Sequence, residues 1–423
     1  MVLNKQFFLF IVFIVCFCSS CIKTGVNSSP ASSSGILFYG NRYGNTLRSF
    51  EGTSDGGYLF GGYTSTSTSG GELGFIQKCD RTGKVEWYET YGFLLTNKFN
   101  VVHATSDGGY IAAGTSTSIL GYAYLVKTDR NGVLIWQKTF GGNYGNNFYD
   151  VKETPDHGFV AVGLSYAIAE NPILIVKTDA NGNSLWTRQI IQKNHNSLGT
   201  SVAFGPNGEI AVGGYAQNWT NNIGYPTFTY LSPNGSLIIP QQTDTVFGPM
   251  PWPLNGNTWL YGSSNFEKII GRPNGFIFIM SSDLQGLANN PPCLNCGISL
   301  SVTVFKIDFN GNILWKNSFP GLSNGITFND AQNNPNGGLL ISGGTIDASG
   351  TNYCWLLNTD ANGRKIGESL IPVKGFSAMA AGAIIKGNNF DVGINLMPLQ
   401  QNREGYFGFL TSDQNGKIID NNK

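Results

Sequence analysis

The chain has 423 residues, and its charges balance, with 26 Lys and Arg against 26 Asp and Glu. Only 12% of the residues are charged and no polybasic run occurs, which argues against nucleic acid as a partner. The 56 Gly and the 13% of aromatic residues favour an all-β repeat protein with many turns.

Residues 1–21 have the features of a bacterial signal peptide. An apolar run over residues 7–17 is too short to span a bilayer, and small residues then stand directly before Cys21, as in a lipobox. We expect Cys21 to be lipidated and to anchor the chain to the membrane. Cys18 stands where a lipobox usually has Leu, so a plain secreted protein is the alternative.

Residues 22–35 follow, and from Thr24 to Gly35 this segment is rich in Ser and contains no core-forming residue beyond Val26. Such a segment cannot bury apolar surface, so we expect a flexible tether. A single repeat domain is predicted from residue 36 to residue 423.

One motif recurs along this domain: a turn of the form Asp-x-x-Gly, followed four residues later by Trp in the strongest copies. Those copies begin at Asp80, Asp129, Asp179 and Asp308 and end at Trp87, Trp136, Trp186 and Trp315. Three weaker copies contain Asn234, Asp360 and Asp413. Most copies lie about 50 residues apart, which is the signature of a repeat architecture.

Each repeat also contains an earlier turn such as Asp107-Gly108-Gly109, and short segments rich in β-formers separate the turns. Each repeat is therefore predicted to form four antiparallel strands. A sheet of this size cannot bury both faces alone, and radial stacking of such sheets is common at this period. We predict an all-β, seven-bladed β-propeller whose recurring Trp residues pack between blades.

The two ends of the domain are complementary. The segment that begins at Ile36 aligns with a fourth strand that lacks its first three, whereas the last repeat ends soon after Gly416, before a full fourth strand. We predict that the N-terminal strand completes the blade formed by about residues 376–423. This pairing would close the ring and remove exposed sheet edges.

The cysteines and histidines predict no metal centre. Cys293 and Cys296 could form a local disulfide in an oxidising compartment, whereas Cys79 and Cys354 fall on separate blades and are expected to be unpaired. A zinc site would need further ligands, and His103, His157 and His195 lie in distant repeats. An Asp-x-Asn-Gly loop offers one carboxylate, too few for calcium. We expect no metal and no cofactor.

The fourth and fifth repeats depart most from the common pattern and hold aromatic residues among Pro, Asn and Gly. This setting is typical of exposed aromatic loops, which stack on sugar rings or anchor a protein partner. Core packing in irregular blades is the alternative. The candidate binding residues are Trp219, Tyr225, Trp252, Trp259 and Tyr261.

The combined repeat, seen at residues 107–110 and 127–136, resembles the propeller repeats of secreted proteins and lipoproteins of the Bacteroidetes group. It is also similar to the pyrroloquinoline-quinone propeller motif and to the sialidase Asp-box. In the turn that starts at Asp80, the spacing between Asp and Gly is one residue shorter than in the pyrroloquinoline-quinone motif. Both motifs are structural turns in their own families. The resemblance therefore implies fold and location, and no catalytic residue.

Three functions stay open at this level. We expect a monomeric outer-membrane lipoprotein of the bacterial cell envelope, on its periplasmic or surface face, that binds a glycan or an envelope protein. A carbohydrate-active hydrolase is the second hypothesis, although the spacing of residues along the sequence indicates no catalytic group. An envelope assembly scaffold is the third, by analogy with a propeller lipoprotein that serves the insertion of outer-membrane barrels.

Overall fold

The computed structural model describes residues 32–33, 35–40, 44–66, 71–92, 96–117, 121–141, 145–166, 170–192, 194–218, 224–238, 264–282, 301–309, 312–321, 325–399 and 405–420. All regular structure within these ranges is β. No helix in them is long and apolar enough to cross a membrane.

The strands follow the predicted repeat, and most are neighbours both in sequence and in the sheet. Two short strands come first: β1 (Ser32–Ser33) and β2 (Ile36–Tyr39). The first repeat contains β3 (Asn45–Gly52), β4 (Tyr58–Ser65), β5 (Glu72–Cys79) and β6 (Val85–Tyr91). The second contains β7 (Thr96–Ala104), β8 (Tyr110–Thr117), β9 (Gly121–Thr128) and β10 (Leu134–Phe140).

The next three repeats contain the following strands in chain order. The third has β11 (Asn146–Glu153), β12 (Phe159–Ser165), β13 (Ile173–Thr178) and β14 (Ser184–Ile190). The fourth has β15 (His195–Phe204), β16 (Ile210–Asn218) and β17 (Gly224–Leu231) among the described residues. The fifth has β18 (Ser264–Arg272), β19 (Gly275–Ser282), β20 (Ser301–Ile307) and β21 (Ile313–Pro320).

The last two repeats complete the chain. One contains β22 (Ile326–Asn333), β23 (Leu339–Ile346), β24 (Asn352–Thr359) and β25 (Lys365–Pro372). The other contains β26 (Phe376–Lys386), β27 (Asn389–Pro398), β28 (Tyr406–Asp413) and β29 (Ile418–Ile419). Within each repeat the strands pair antiparallel in chain order, and neighbouring repeats pack face to face. This is the arrangement of a β-propeller.

Both turns of the repeat have the predicted conformation. In the first, Gly108 has φ of +82° and donates its N–H to the Thr105 carbonyl at 2.9 Å. In the second, Asp129 Oδ1 accepts hydrogen bonds from the backbone N–H groups of Asn131 and Val133, both at 2.8 Å. The aspartate oxygen is therefore used by the turn itself, as expected for an Asx-type turn.

A buried lysine joins the two turns in the first three repeats. Lys127 is only 6% exposed, and its Nζ lies 2.8 Å from Asp107 Oδ2 and 2.9 Å from the Thr128 carbonyl oxygen. Lys78 and Lys177 make the equivalent ion pairs, each at 2.8 Å. Although burial opposes it, hydrogen bonds from the lysine and the turn hold the pKa of Asp107 at about 2.

The recurring Trp residues pack between neighbouring repeats, as predicted. Trp87 on β6 covers the turn of the second repeat, where a Cβ added to Gly132 would lie 2.8 Å from the indole ring. Trp136 repeats this contact one unit later, and its Nε1 donates to the Ala180 carbonyl at 3.0 Å. The outermost strand of one unit therefore covers the Asp-x-x-Gly turn of the next.

The two ends of the domain share one sheet. β2 pairs antiparallel with β28, with Ile36 opposite Leu410 and Tyr39 opposite Phe407. The short strand β29 pairs with the same edge of β28 farther along, where Ser412 lies opposite Ile418. The last four-stranded unit is therefore built from β26, β27, β28 and the N-terminal strand β2.

Candidate functional site

The first strands of six repeats surround one cavity of about 700 Å³, which we call the inner cavity. Its lining comes from β3, β7, β11, β15, β18 and β22. Strand side chains alternate between two faces, so residues two positions apart on each of these strands lie on the same side. Residues that are far apart in the sequence therefore meet in this cavity.

A β-bulge interrupts the first strand of every repeat at an equivalent position. The shifts occur at Leu47/Ser49, Phe99/Val101, Phe148/Asp150, Gly199/Ser201, Phe266/Lys268, Phe328/Asp330 and Ala380/Gly382. Bulges bend a strand and re-aim its side chains, and they are frequent beside functional sites. Asp150, Lys268 and Asp330 come directly after three of these bulges.

Three side chains from three strands are linked in a row in the inner cavity: Glu51, His103 and Lys152. His103 Nδ1 lies 2.8 Å from Glu51 Oε2, and His103 Nε2 lies 2.8 Å from Lys152 Nζ. The second oxygen of Glu51 accepts the Ala104 N–H at 2.6 Å. Burial raises the pKa of Glu51, but the histidine and this N–H outweigh it, so that the net shift is downward.

Asp150 lies beside this group, next to His103, and is 5% exposed. Its Oδ2 accepts the Val202 N–H at 3.0 Å and the Ser201 hydroxyl at 3.1 Å, and its Oδ1 lies 3.5 Å from His103 Nε2. Burial acts to raise the pKa of Asp150, yet its interactions with the basic groups Lys152, His103 and Lys268 hold it well below its usual range. Asp150 is therefore an anion at neutral pH.

Lys268 and Asp330 form an ion pair between the fifth and sixth repeats. Gln332 supports it, since its Nε2 lies 3.1 Å from Asp330 Oδ2 and also donates to the Phe50 carbonyl at 2.8 Å. Burial lowers the pKa of Lys268, but Asp330 and Asp150 prevail and raise it. Lys268 is therefore a firmly held cation.

Glu267 differs from the other carboxylates of the inner cavity. Its Oε1 accepts a hydrogen bond from the Ser281 hydroxyl, which lowers the pKa of Glu267. No cation is among the groups that shift this pKa, so nothing else offsets the effect of burial. Burial therefore raises the pKa of Glu267 to about 7. Two carboxylates of one cavity, Glu267 and Asp150, thus differ strongly in their affinity for a proton.

The structure places the aromatic residues singled out by the sequence as follows. Tyr225 lies within strand β17, opposite Ala216, and not on a loop, because the strand pairing continues through it. Trp219, Trp252, Trp259 and Tyr261 lie outside the described residues, as do Cys21, Cys293 and Cys296. Cys79 and Cys354 are free thiols and are buried. In the described ranges no group of three His, Cys, Asp or Glu residues could hold a metal ion.

No family model and no curated protein matches the chain. Among solved structures, it is similar to an ulvan lyase, a polysaccharide lyase bound to a GlcA and Rha3S saccharide, with a TM-score of 0.55 and 6% identity over 90% of this chain and 97% of the other. At this identity the likeness concerns the fold alone.

Two further structures match less closely. The β-propeller domain of the Trilobed protease from Pyrococcus furiosus has a TM-score of 0.48 and 6% identity over 89% of this chain and 97% of that one. A protein of unknown function from Bacteroides caccae has a TM-score of 0.36 and 13% identity over 68% of this chain and 91% of the other.

Sequence reasoning missed the inner cavity because its charged groups are spread over five repeats. The available signal was positional. At the residue after the bulge, other repeats have Ser49, Val101 or Gly382, whereas Asp150 and Lys268 are charged. Charged residues at one aligned position of several repeats are brought together by the stacking of the blades, and no spacing along the chain shows this.

Proposed function

We propose that the chain is a ligand-binding module of the bacterial cell envelope that takes a glycan into the inner cavity. The observation that carries this proposal is a cavity of about 700 Å³ whose wall combines ionised carboxylates, cations and amide groups from six strands. Cavities of this size are typical of small-ligand sites. A sugar presents hydroxyl groups that both donate and accept hydrogen bonds, which suits a wall of mixed donors and acceptors.

The proposal includes a closed ring of seven blades, which would give the cavity a rigid wall. Contacts between the first and last repeats support it. The Leu47 N–H donates to Asn395 Oδ1 and the Leu47 carbonyl accepts from Asn395 Nδ2, both at 2.8 Å. Tyr58 donates its hydroxyl to the buried Asp391 at 2.6 Å, and a Cβ added to Gly393 would lie 2.6 Å from Phe50.

The proposal also includes anchoring through a lipid on Cys21, for which the lipobox-like residues and the Ser-rich segment 22–35 are the support. Labelled palmitate fed to cells that express the wild type and Cys21→Ala tests it. We expect label in the wild type alone. Equal labelling of the two proteins would remove the anchor from the proposal.

A glycan array with the purified chain lacking residues 1–21 tests ligand binding, and a matched pair of variants locates the site. Lys268→Gln removes a cavity cation, whereas Lys365→Gln removes the lysine of a surface ion pair with Glu368. We expect the first variant to weaken glycan binding at least tenfold and the second to leave it unchanged. Equal affinities in both variants, or no glycan bound by the wild type, would overturn the proposal.

One observation favours a second function, a carbohydrate-active hydrolase. The pKa of Glu267 is raised to about 7 while Asp150 stays ionised, and such a difference suits a general acid paired with a base. Release of reducing ends from bound glycans by the wild type, and its loss in Glu267→Gln, would favour this function. Binding without any turnover would leave the binding module.

A further inference from the structure

Lys152 is half-buried, and it differs from the other buried or half-buried lysines in what its amine contacts. Lys78, Lys127, Lys177 and Lys268 each lie within 3 Å of a carboxylate oxygen. Among the described residues no carboxylate oxygen forms an ion pair with Lys152 Nζ, and its hydrogen-bond partner is His103 Nε2 at 2.8 Å. A lysine buried without an ion-pair partner in a cavity is costly as a cation.

The contact between Lys152 and His103 restricts where protons reside. Two nitrogen atoms 2.8 Å apart share a hydrogen bond only if one of them offers a lone pair. Lys152 and His103 therefore cannot both hold their full set of protons. Either the imidazolium donates to a neutral amine, or the ammonium donates to a neutral imidazole.

The carboxylate contacts favour the neutral amine, because two carboxylates lie against the imidazole and, among the described residues, none forms an ion pair with the amine. Glu51 on β3 and Asp150 on β11 face the imidazole, while Lys268 on β18 and Asp330 on β22 lie across the cavity. Burial and Lys152 lower the pKa of His103, but Glu51 and Asp150 more than compensate. Burial lowers the pKa of Lys152 and Lys268 adds to the lowering, although Asp150, Glu51 and Asp330 oppose it.

We propose that Lys152 is a nucleophilic amine that captures a ligand carbonyl in the inner cavity as a Schiff base, with Glu51 and His103 as its proton relay. The ligand class is a small aldehyde or ketone, which includes the open-chain form of a reducing sugar. This inference rests on the proposed function in one respect, that the inner cavity admits a ligand. A lysine desolvated beside another cation is a known way to activate an amine.

The proton balance of this step fits the network. The Lys152 nitrogen forms a bond to the carbonyl carbon, and the bond from that carbon to oxygen breaks. The oxygen leaves as water with one hydrogen from the amine and one proton from the His103 imidazolium. The iminium ion then carries the positive charge that His103 gave up, so the net charge facing Asp150 does not change.

Reductive trapping tests the inference on the whole mature chain. The protein is incubated with glyceraldehyde and sodium cyanoborohydride, and modified peptides are identified by mass spectrometry. We expect Lys152 to be modified at least ten times faster than the exposed Lys84 and Lys374, and faster than Lys268. Lys152→Arg should lose this fast adduct. Modification of Lys152 no faster than that of the exposed lysines would overturn the proposal.

A variant of His103 separates a proton relay from a purely structural role. In His103→Gln the amine keeps its own proton, so modification of Lys152 should slow at pH 7 and recover as the pH rises. A structural role alone would change the rate without moving its pH dependence, and that result would remove His103 from the proposal. Circular dichroism of each variant checks that it is folded.

The two proposals fail in distinguishable ways. Fast trapping at Lys152 by a protein that binds no glycan on the array would support the reactive amine and contradict glycan binding. Glycan binding by a protein whose Lys152 reacts slowly would leave the binding module and remove the Schiff base.

Discussion

The phenol of Tyr39 donates a hydrogen bond to the carbonyl oxygen of Gly83 at 2.5 Å, and the phenol of Tyr91 makes the same contact with Gly132 at 2.7 Å. Tyr91 belongs to the outermost strand of the first repeat and reaches the turn of the second. Tyr39 belongs to the N-terminal strand β2 and reaches the turn of the first repeat. Strand β2 therefore holds the position toward the first repeat that each outermost strand holds toward its successor.

This equivalence predicts equal costs for removing either hydroxyl. Tyr39→Phe and Tyr91→Phe each leave a buried carbonyl without its donor, which costs about 1 to 3 kcal/mol. Urea denaturation of the two variants measures both values. A cost for Tyr91→Phe with none for Tyr39→Phe would show that β2 contributes little to the stability of the first repeat.

The packing of Trp87 on Gly132 predicts a difference between two glycines with similar backbone conformations. Gly132 has φ of +78° and faces the indole, whereas Gly108 has φ of +82° and nothing within 4 Å of an added Cβ. Alanine at either site costs about 1 to 2 kcal/mol for the left-handed backbone. Gly132→Ala should cost about 1 to 3 kcal/mol more, because the methyl group overpacks the ring.

Thermal and chemical denaturation of Gly132→Ala and Gly108→Ala measures that difference directly. Gly108→Ala is the matched control, since it carries the backbone strain without the collision. Equal stabilities of the two variants would mean that Trp87 moves aside freely and does not fix the position of the next repeat.

The repeat period and the turn types could be predicted from the sequence, because they depend on local residue chemistry. The pairing of Ile36 with the last sheet could be predicted because the first and last segments are complementary parts of one repeat. The positive φ at Gly132 and the Asx turn at Asp129 follow directly from such chemistry. The network of Glu51, His103 and Lys152 could not be predicted, because it depends on which side of a bulged strand faces the cavity. One residue of shift in a strand reverses that side.

The ion pair between the buried Lys127 and the exposed Asp107 predicts a loss of stability in acid. The folded-state pKa of Asp107, about 2, lies below the ordinary value near 4, so its contribution is complete above pH 4 and is lost as the pH falls through about 2. The sixth repeat has a neutral contact instead, in which Asn334, at the position of Thr105, donates its Nδ2 to Oδ1 of Asn358, at the position of Lys127, at 2.7 Å.

Urea denaturation between pH 5 and pH 2 should therefore show a smaller slope in Asp107→Asn with Lys127→Asn than in the wild type, since an amide pair does not titrate. The single variant Asp107→Asn should be the least stable at pH 7, because it leaves Lys127 buried without its partner. An unchanged slope in the double variant would contradict this assignment.

The two described cysteines should be inert while the protein is folded. Burial raises the pKa of the Cys79 thiol to about 12, against a hydrogen bond from Gln77, and burial alone raises that of Cys354 to about 12. Because the thiolate is the reactive form, neither should react with a disulfide reagent at pH 8. Peptide mapping before and after unfolding checks this, and rapid labelling of the folded chain at Cys79 would contradict it.

The raised pKa of Glu267 predicts that the fold loses stability as the pH rises. The unfolded carboxyl titrates near 4.5 and the folded one at about 7, so the contribution is complete below pH 4.5 and is lost as the pH rises through 7. The shift corresponds to about 3 kcal/mol at most. Glu267→Gln should remove this dependence and be more stable than the wild type at pH 8.

In Ser281→Ala the carboxylate of Glu267 loses its hydroxyl donor, so the midpoint of the pH-dependent loss of stability should move to higher pH. Urea denaturation from pH 4 to pH 9 measures all three proteins, and parallel curves would mean that Glu267 is solvated.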